Sequence, residues 1–263
     1  MSYSANGIPT DALCTLLLAL ADDELMLGHR DAEWTGYAPL LEEDIAFSNI
    51  AQDELGHSLV WFGLYENLTG KSPDAMAFER KWTEYTCCRF VTYPKGDFAY
   101  SILRQYLFDE AEQVRLKAFA RSPYAPLKDA SAKILREEAY HLMHSQGLVE
   151  RLGDATEESH RRMQAATDAA FPQALGMFER LEGEDELVAA GVCPASDALQ
   201  QEWLTRVVPT MRGAGLSLPV HEQSGVLQAT PDIGGRTKKH TEHLKQLISD
   251  LQAVYQIAPG AKW

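Results

Sequence analysis

Two short segments of the chain carry a glutamate and a histidine three residues apart: Glu54-Leu55-Gly56-His57 and Glu138-Ala139-Tyr140-His141. On an α-helix, positions i and i+3 share a face, so a carboxylate and an imidazole at this spacing reach one metal ion. A single such pair is ordinarily an exposed polar pair. Here both lie within long amphipathic segments. Glu54 shares its face with Phe47, Ile50, Ala51 and Trp61, and Glu138 shares its face with Ile134, Leu135 and Leu142. Both glutamates are therefore expected to point into the core. A buried ionised carboxylate needs a cation, a proton or a metal.

Lone carboxylates complete the pattern. Glu24 lies among Leu17, Leu20, Ala21, Leu27 and Gly28 on another apolar face. Further along, Asp109, Glu110 and Glu112 are candidates, and spacing selects Asp109. Glu24 precedes Glu54 by 54 − 24 = 30 residues, and Asp109 precedes Glu138 by 138 − 109 = 29. The two Glu-x-x-His units are 138 − 54 = 84 residues apart, and the lone acids 109 − 24 = 85. Two helix pairs, each giving one lone carboxylate and one Glu-x-x-His, form the ligand recipe of ferritin-like two-metal sites. The expected ligands are Glu24, Glu54, His57, Asp109, Glu138 and His141. Glu54 and Glu138 are placed to bridge, His57 and His141 to ligate one ion each, and Glu24 and Asp109 to be terminal. Mixed imidazole and carboxylate suit two iron ions, with manganese as the alternative. Asp53 and Glu137 are placed to accept hydrogen bonds from the opposite helices' histidines. His29, His144 and His160 read as surface or core-edge histidines. His240 and His243, spaced i and i+3 but lacking acidic neighbours, read as packing or capping residues. Cys87 and Cys88 read as core filler, and Trp34 and Trp61 as core or interface aromatics.

Helical periodicity dominates the elements that must position these groups. Helices are predicted over about 10–34, from Pro39 to 68 with Gly70 as its end, and over 98–121 with Asp97 as N-cap. A fourth follows the Pro123 and Pro126 breaks, over 127–152, ending at Gly153. A fifth opens at Thr156, where Thr156 and Ser159 offer capping hydroxyls. Further helices are predicted over 196–212 and 237–256. Residues 71–95 read as a short helix with an aromatic loop, 213–235 as a long Gly/Pro/Ser-rich excursion, and no strand is predicted. The expected class is all-α: one domain over 1–263, with a four-helix bundle core at about 10–153 and C-terminal helices and loop at about 156–256.

Composition narrows the function. The 263 residues hold 24 Lys+Arg and 38 Asp+Glu, a net charge of 24 − 38 = −14. That argues against nucleic acid, which needs a basic patch, and against anionic lipid. The densest basic group, Arg236, Lys238 and Lys239, reads as a solvated helix start. No apolar run reaches the ~18–20 residues of a membrane span, and the stretch 13–21 is followed at once by Asp22, Asp23 and Glu24. Four cysteines without disulfide or zinc spacing point to a reducing cytoplasm. GxGxxG, P-loop and GxSxG motifs are absent.

The run Leu41-Glu42-Glu43-Asp44-Ile45-Ala46, then Asn49 to His57 (NIAQDELGH), resembles the C-type subunit of the phenylacetyl-CoA epoxidase complex. So do Gly96-Asp97-Phe98-Ala99 with Arg104-Gln105-Tyr106-Leu107-Phe108-Asp109, and Arg151-Leu152-Gly153-Asp154 with Glu157-Glu158-Ser159-His160. Gly234-Gly235-Arg236 with His240-Thr241-Glu242-His243-Leu244 resembles the family's C-terminal signature. The resemblance implies a ferritin-like fold. It also implies membership in an assembly that inserts one oxygen atom of O2 into the aromatic ring of phenylacetyl-CoA. In such assemblies the A-type subunit is catalytic and works with a reductase, while the C-type chain is its structural partner and many members have lost ligands. This sequence keeps all six. The resemblance therefore leaves two readings open: a structural partner that retains a metal site, or a free-standing di-iron or di-manganese oxidase or ferroxidase. A second copy of the chain is a further candidate partner.

Overall fold

The computed structural model describes residues 7–223, 226–259 and 261. Four long helices surround the predicted ligands: α1 (Thr10–Ala32), α2 (Leu41–Thr69), α4 (Phe98–Phe119) and α5 (Ala125–Asp154), with the short α3 (Pro73–Phe78) between the pairs. α1 packs along α2, α4 along α5, and α2 meets α5. Every residue from 19 to 28 in α1 and from 101 to 116 in α4 is buried. A helix buried all round belongs at the centre, so α1 and α4 are the inner pair. α2 and α5 bury one stripe each and form the outer pair.

The local signals act as expected at most ends. The Asp97 carboxylate accepts from Tyr100 N at 3.0 Å and starts α4. Gly70, at φ 74°, closes α2 in the left-handed conformation. Thr156 and Ser159 cap α6 (Glu157–Leu175) reciprocally. Gly28 lets α1 approach α2 beside Glu54, because a Cβ there would stand 3.0 Å from Ala51 O and 3.1 Å from Glu54 Cβ. α5 begins earlier than predicted, at Ala125, with Pro126 in its first turn rather than before the helix.

The remaining helices, α7 (Glu184–Ala189), α8 (Ser196–Gly213) and α9 (Glu242–Ile257), extend the bundle. α6 and α8 cover α4, and Trp203 Nε1 donates to Leu107 O at 3.0 Å. Two expectations are corrected. The excursion at 213–235 contains a two-stranded antiparallel ribbon, β1 (His221–Gln223) and β2 (Val226–Gln228). The last helix starts at Glu242, not at 237. The preceding residues form a turn, with Gly234 at φ 124° and Lys238 at φ 63°, that drives Arg236 inward.

Arg236 is therefore no solvated helix start. Its side chain is buried, donating to Asp23 Oδ2 at 2.6 Å and Oδ1 at 2.9 Å, and to Thr86 O at 3.0 Å. Neighbouring Asp22 pairs with Arg80 and accepts from Thr86 N at 2.7 Å. The two acids after the apolar stretch of α1 thus fasten the segment 80–92 and the C-terminal turn to the bundle. Gly235 permits this, because a Cβ would collide with Cys87 O. Cys87 and Cys88 are buried and unpaired, as expected of core filler. Among the described residues no helix is long and apolar enough to cross a membrane.

Candidate metal centre

Glu24 comes from α1, Glu54 and His57 from α2, Asp109 from α4, and Glu138 and His141 from α5; all six are buried. The two outer helices run antiparallel, which brings the two Glu-x-x-His units face to face with ring centroids 6.0 Å apart. His57 Nδ1 lies 3.3 Å from Glu138 Oε1 and 3.7 Å from Glu54 Oε2. His141 Nδ1 lies 3.2 Å from Glu138 Oε1 and 3.6 Å from Glu54 Oε1. Each glutamate therefore stands between both imidazoles. Candidate ligand atoms of Glu24, Glu54 and His57 lie within 4.8 Å of one another, as do those of Glu54, Glu138 and His141.

The outward nitrogens are held as the sequence suggested. His57 Nε2 lies 3.0 Å from Glu137 Oε2, and His141 Nε2 lies 3.2 Å from Asp53 Oδ2. A carboxylate on Nε2 keeps a proton there and leaves Nδ1 as the donor aimed inward.

Electrostatics set the metal-free protonation. Burial, then the Glu54 charge, drives the Glu24 carboxyl well above the usual carboxylate range. Burial also pushes Glu54 upward, but the neighbouring Glu24 carboxyl and the His141 and His57 rings outweigh it and hold the Glu54 pKa well below the usual carboxylate range. Burial opposes charge on His57, yet Glu138 and Glu54 raise its pKa to about 10. The same two acids raise His141. In the metal-free centre the surrounding acids thus favour the charged form of the His57 and His141 rings, while burial and the Glu54 charge oppose ionisation of Glu24.

The buried polar atoms left without a hydrogen-bond partner include several at this centre. Both Glu24 oxygens, Glu54 Oε2, Glu138 Oε2 and His57 Nδ1 are buried with no hydrogen-bond partner. Such orphans are rare unless something absent completes them. Three carboxylates and two imidazole nitrogens converging in one buried spot fit a pair of iron or manganese ions.

Asp109 differs. Its Oδ1 accepts from Gln105 Nε2 at 2.7 Å and its Oδ2 from Ser145 Oγ at 2.6 Å. Gln105 Nε2 also reaches Glu54 Oε1 at 3.0 Å. Burial and the Glu138 charge raise the Asp109 pKa. Glu112, one turn on, pairs with Arg115 at 3.0 Å but leaves Oε2 unpartnered. Burial, partly offset by Arg115, pushes it up to about 7. Ser145 has no signal in the sequence beyond its place seven residues after Glu138 on the same helix face. The other histidines lie elsewhere. His144 pairs with Glu43 at 3.0 Å, His160 donates to Gly153 O at 2.7 Å, and His29 is half-buried at the end of α1. His240 precedes α9 and donates to Tyr85 O at 2.8 Å, while the His243 ring packs on Tyr93. Trp34 donates to Ser101 Oγ at 2.8 Å in the core, where Trp61 is also buried.

Comparison with known proteins agrees in extent. The family described as phenylacetic acid catabolic protein matches residues 4–263. The C-type subunit of the 1,2-phenylacetyl-CoA epoxidase of Escherichia coli (strain K12) is 31% identical over 252 residues, covering 95% of this chain and 99% of that protein. The A-type subunit of the same organism's 1,2-phenylacetyl-CoA epoxidase is 24% identical over 194 residues, covering 72% of this chain and 62% of that protein.

Proposed function

The chain belongs to the phenylacetic acid catabolic protein family, and from that premise we propose that it is the C-type subunit of a ring epoxidase acting on phenylacetyl-CoA, with a two-metal centre of its own. The end-to-end match with a C-type subunit carries the first half of this reading. The unpartnered donor set carries the second. On this reading the chain pairs with an A-type catalytic subunit served by a reductase, and the CoA ester binds at the level of the complex. Four unpaired cysteines fit a cytoplasmic setting.

Within the centre, Glu24, Glu54, His57, Glu138 and His141 would hold two ions, with Glu54 and Glu138 standing between the two imidazoles. Asp109 ligates only after giving up hydrogen bonds to Gln105 and Ser145. Iron held there would supply electrons to O2. The chain's own work is to hold geometry and exclude water. Glu137 and Asp53 fix the rings, and Glu24 releases its proton when it binds. Trp61 and Phe47, both fully buried, flank the α2 ligands one and two turns away in sequence.

Co-expression with the A-type chain of its own organism tests the assembly, which is expected to yield a stable hetero-oligomer with epoxidase turnover. No association would sink the subunit reading. Glu54→Ala separates the roles: a purely structural partner keeps turnover, whereas loss of turnover with intact assembly assigns chemistry to this centre. The complete ligand set favours a second reading, a free-standing oxidase or ferroxidase. That reading expects the isolated chain to consume O2 with ferrous ion and no CoA ester.

A further inference from the structure

Most of the large apolar side chains exposed on the described residues lie on or beside one face. Leu41, Ile45 and Leu59 line the outer side of α2, and Tyr140 and Met143 line the adjoining side of α5; Tyr140 is 71% exposed and Met143 68%. Gly56, Gly63 and Gly147 lie on the same face, well inside their helices, and a Cβ at any of them would meet nothing within 4 Å. Glycine weakens a helix, and here the chain's own packing makes no use of it. Exposed apolar side chains beside bare backbone are what a closely approaching helix needs.

The charge on this face is divided between its ends. α2 and α5 run antiparallel, as the Glu43–His144 and Glu137–His57 pairs show. One end holds Glu42, Glu150 and Asp154, against Arg151. The other holds Lys71, Lys128, Lys133 and Arg136, against Glu66 and Asp129. A two-fold axis through the middle of the face sets the acidic end of one copy on the basic end of another. We propose that this α2–α5 face docks a second copy of this chain in an antiparallel, two-fold pair. Asp53 and Glu137, with side chains 49% and 44% exposed, lie on the same side of the bundle and hold the rings of His141 and His57. Docking therefore covers the hydrogen bonds that orient the two imidazoles and links self-association to the buried centre, whatever reaction the complex performs.

Sedimentation equilibrium on the full-length chain tests this. The wild-type chain is expected to dimerise. Ile45→Glu with Tyr140→Glu is expected to weaken dimerisation by at least about tenfold. Lys133→Glu with Arg136→Glu is expected to weaken it, as is Glu42→Lys with Glu150→Lys, and all four changes in one chain are expected to restore it. Carbodiimide labelling of Asp53 and Glu137 should fall as the dimer forms. These positions are exposed, and circular dichroism checks that the variants fold. A chain that stays monomeric overturns the proposal. So does a dimer indifferent to all these changes, or a face that pairs only with the A-type homologue.

Discussion

The α1/α2 half and the α4/α5 half of the centre carry the same pattern in different surroundings. Shifting α1 by 85 residues lays Glu24 on Asp109 and Leu20 on Gln105, since 20 + 85 = 105. Shifting α2 by 84 lays Glu54 on Glu138, His57 on His141 and Trp61 on Ser145, since 61 + 84 = 145. In the first half the lone acid leaves both oxygens without a hydrogen-bond partner, and burial with the Glu54 charge drives its pKa well above the usual carboxylate range. In the second, Gln105 and Ser145 already occupy both oxygens of the lone acid. An ion on the Glu24 side meets a bare ligand, whereas an ion on the Asp109 side must displace two hydrogen bonds. Ligand identity is thus nearly symmetric while ligand availability is not, and the two positions should load unequally.

The largest effect is expected where the halves share a ligand. Glu54→Ala should weaken both positions by more than about a hundredfold in a metal titration, exceeding the ~10–100-fold typical of outer-shell losses. If only one position weakens, Glu54 does not bridge the halves. Asp53→Ala and Glu137→Ala should each cost about 10–100-fold, in matched amounts, because each fixes one ring. Unequal losses would move the asymmetry into the histidines. Ser145→Ala with Gln105→Leu should then tighten the weaker position by about tenfold, since Asp109 no longer gives up hydrogen bonds to ligate. No change would show that Asp109 stays outside the coordination sphere, leaving Glu112 to be tested by Glu112→Gln.

The smallest effect is in protons. His57, at about 10, and His141, raised by the same acids, are charged at neutral pH, and the Glu24 pKa is raised well above the usual carboxylate range. Each must lose its proton to bind a metal. Loading near neutral pH should therefore release up to three protons, and affinity should fall as pH is lowered. Calorimetry in buffers of different ionisation enthalpy reads the number. The sign follows from raised values in the metal-free state. Pairing that favours the imidazolium rings is present below their unfolded pKa and is lost as pH rises through the folded values, so metal binding gains as that pairing fades.

Much of this arrangement was legible in the sequence, because i, i+3 spacing and an apolar face are local properties. The candidate ligands and the crossed partners Asp53 and Glu137 follow from helix geometry and spacing; Glu24, Glu54, His57, Glu138 and His141 lie together with those two partners, while Asp109 is taken up by Gln105 and Ser145. What escaped depends on distant segments. Ser145 looks like any helical serine until α4 lies beside it. Arg236 looks like a surface charge until a turn around Gly234 and Lys238 carries it to Asp23, 213 residues away in sequence. The ribbon at 221–228 has strands of three residues each, too short for alternation to register against a Gly-rich background. The start of α9 shifted because the turn around Gly234 and Lys238 keeps the preceding residues out of the helix.

Metal stoichiometry tests the central claim most directly: ferrous iron loaded anaerobically into the full-length chain, counted by elemental analysis and located by anomalous scattering in a crystal. Two ions per chain between α2 and α5, the first bound more tightly than the second, is the expected result. A chain that takes up no stoichiometric iron or manganese, or takes it up away from Glu54 and Glu138, would contradict it.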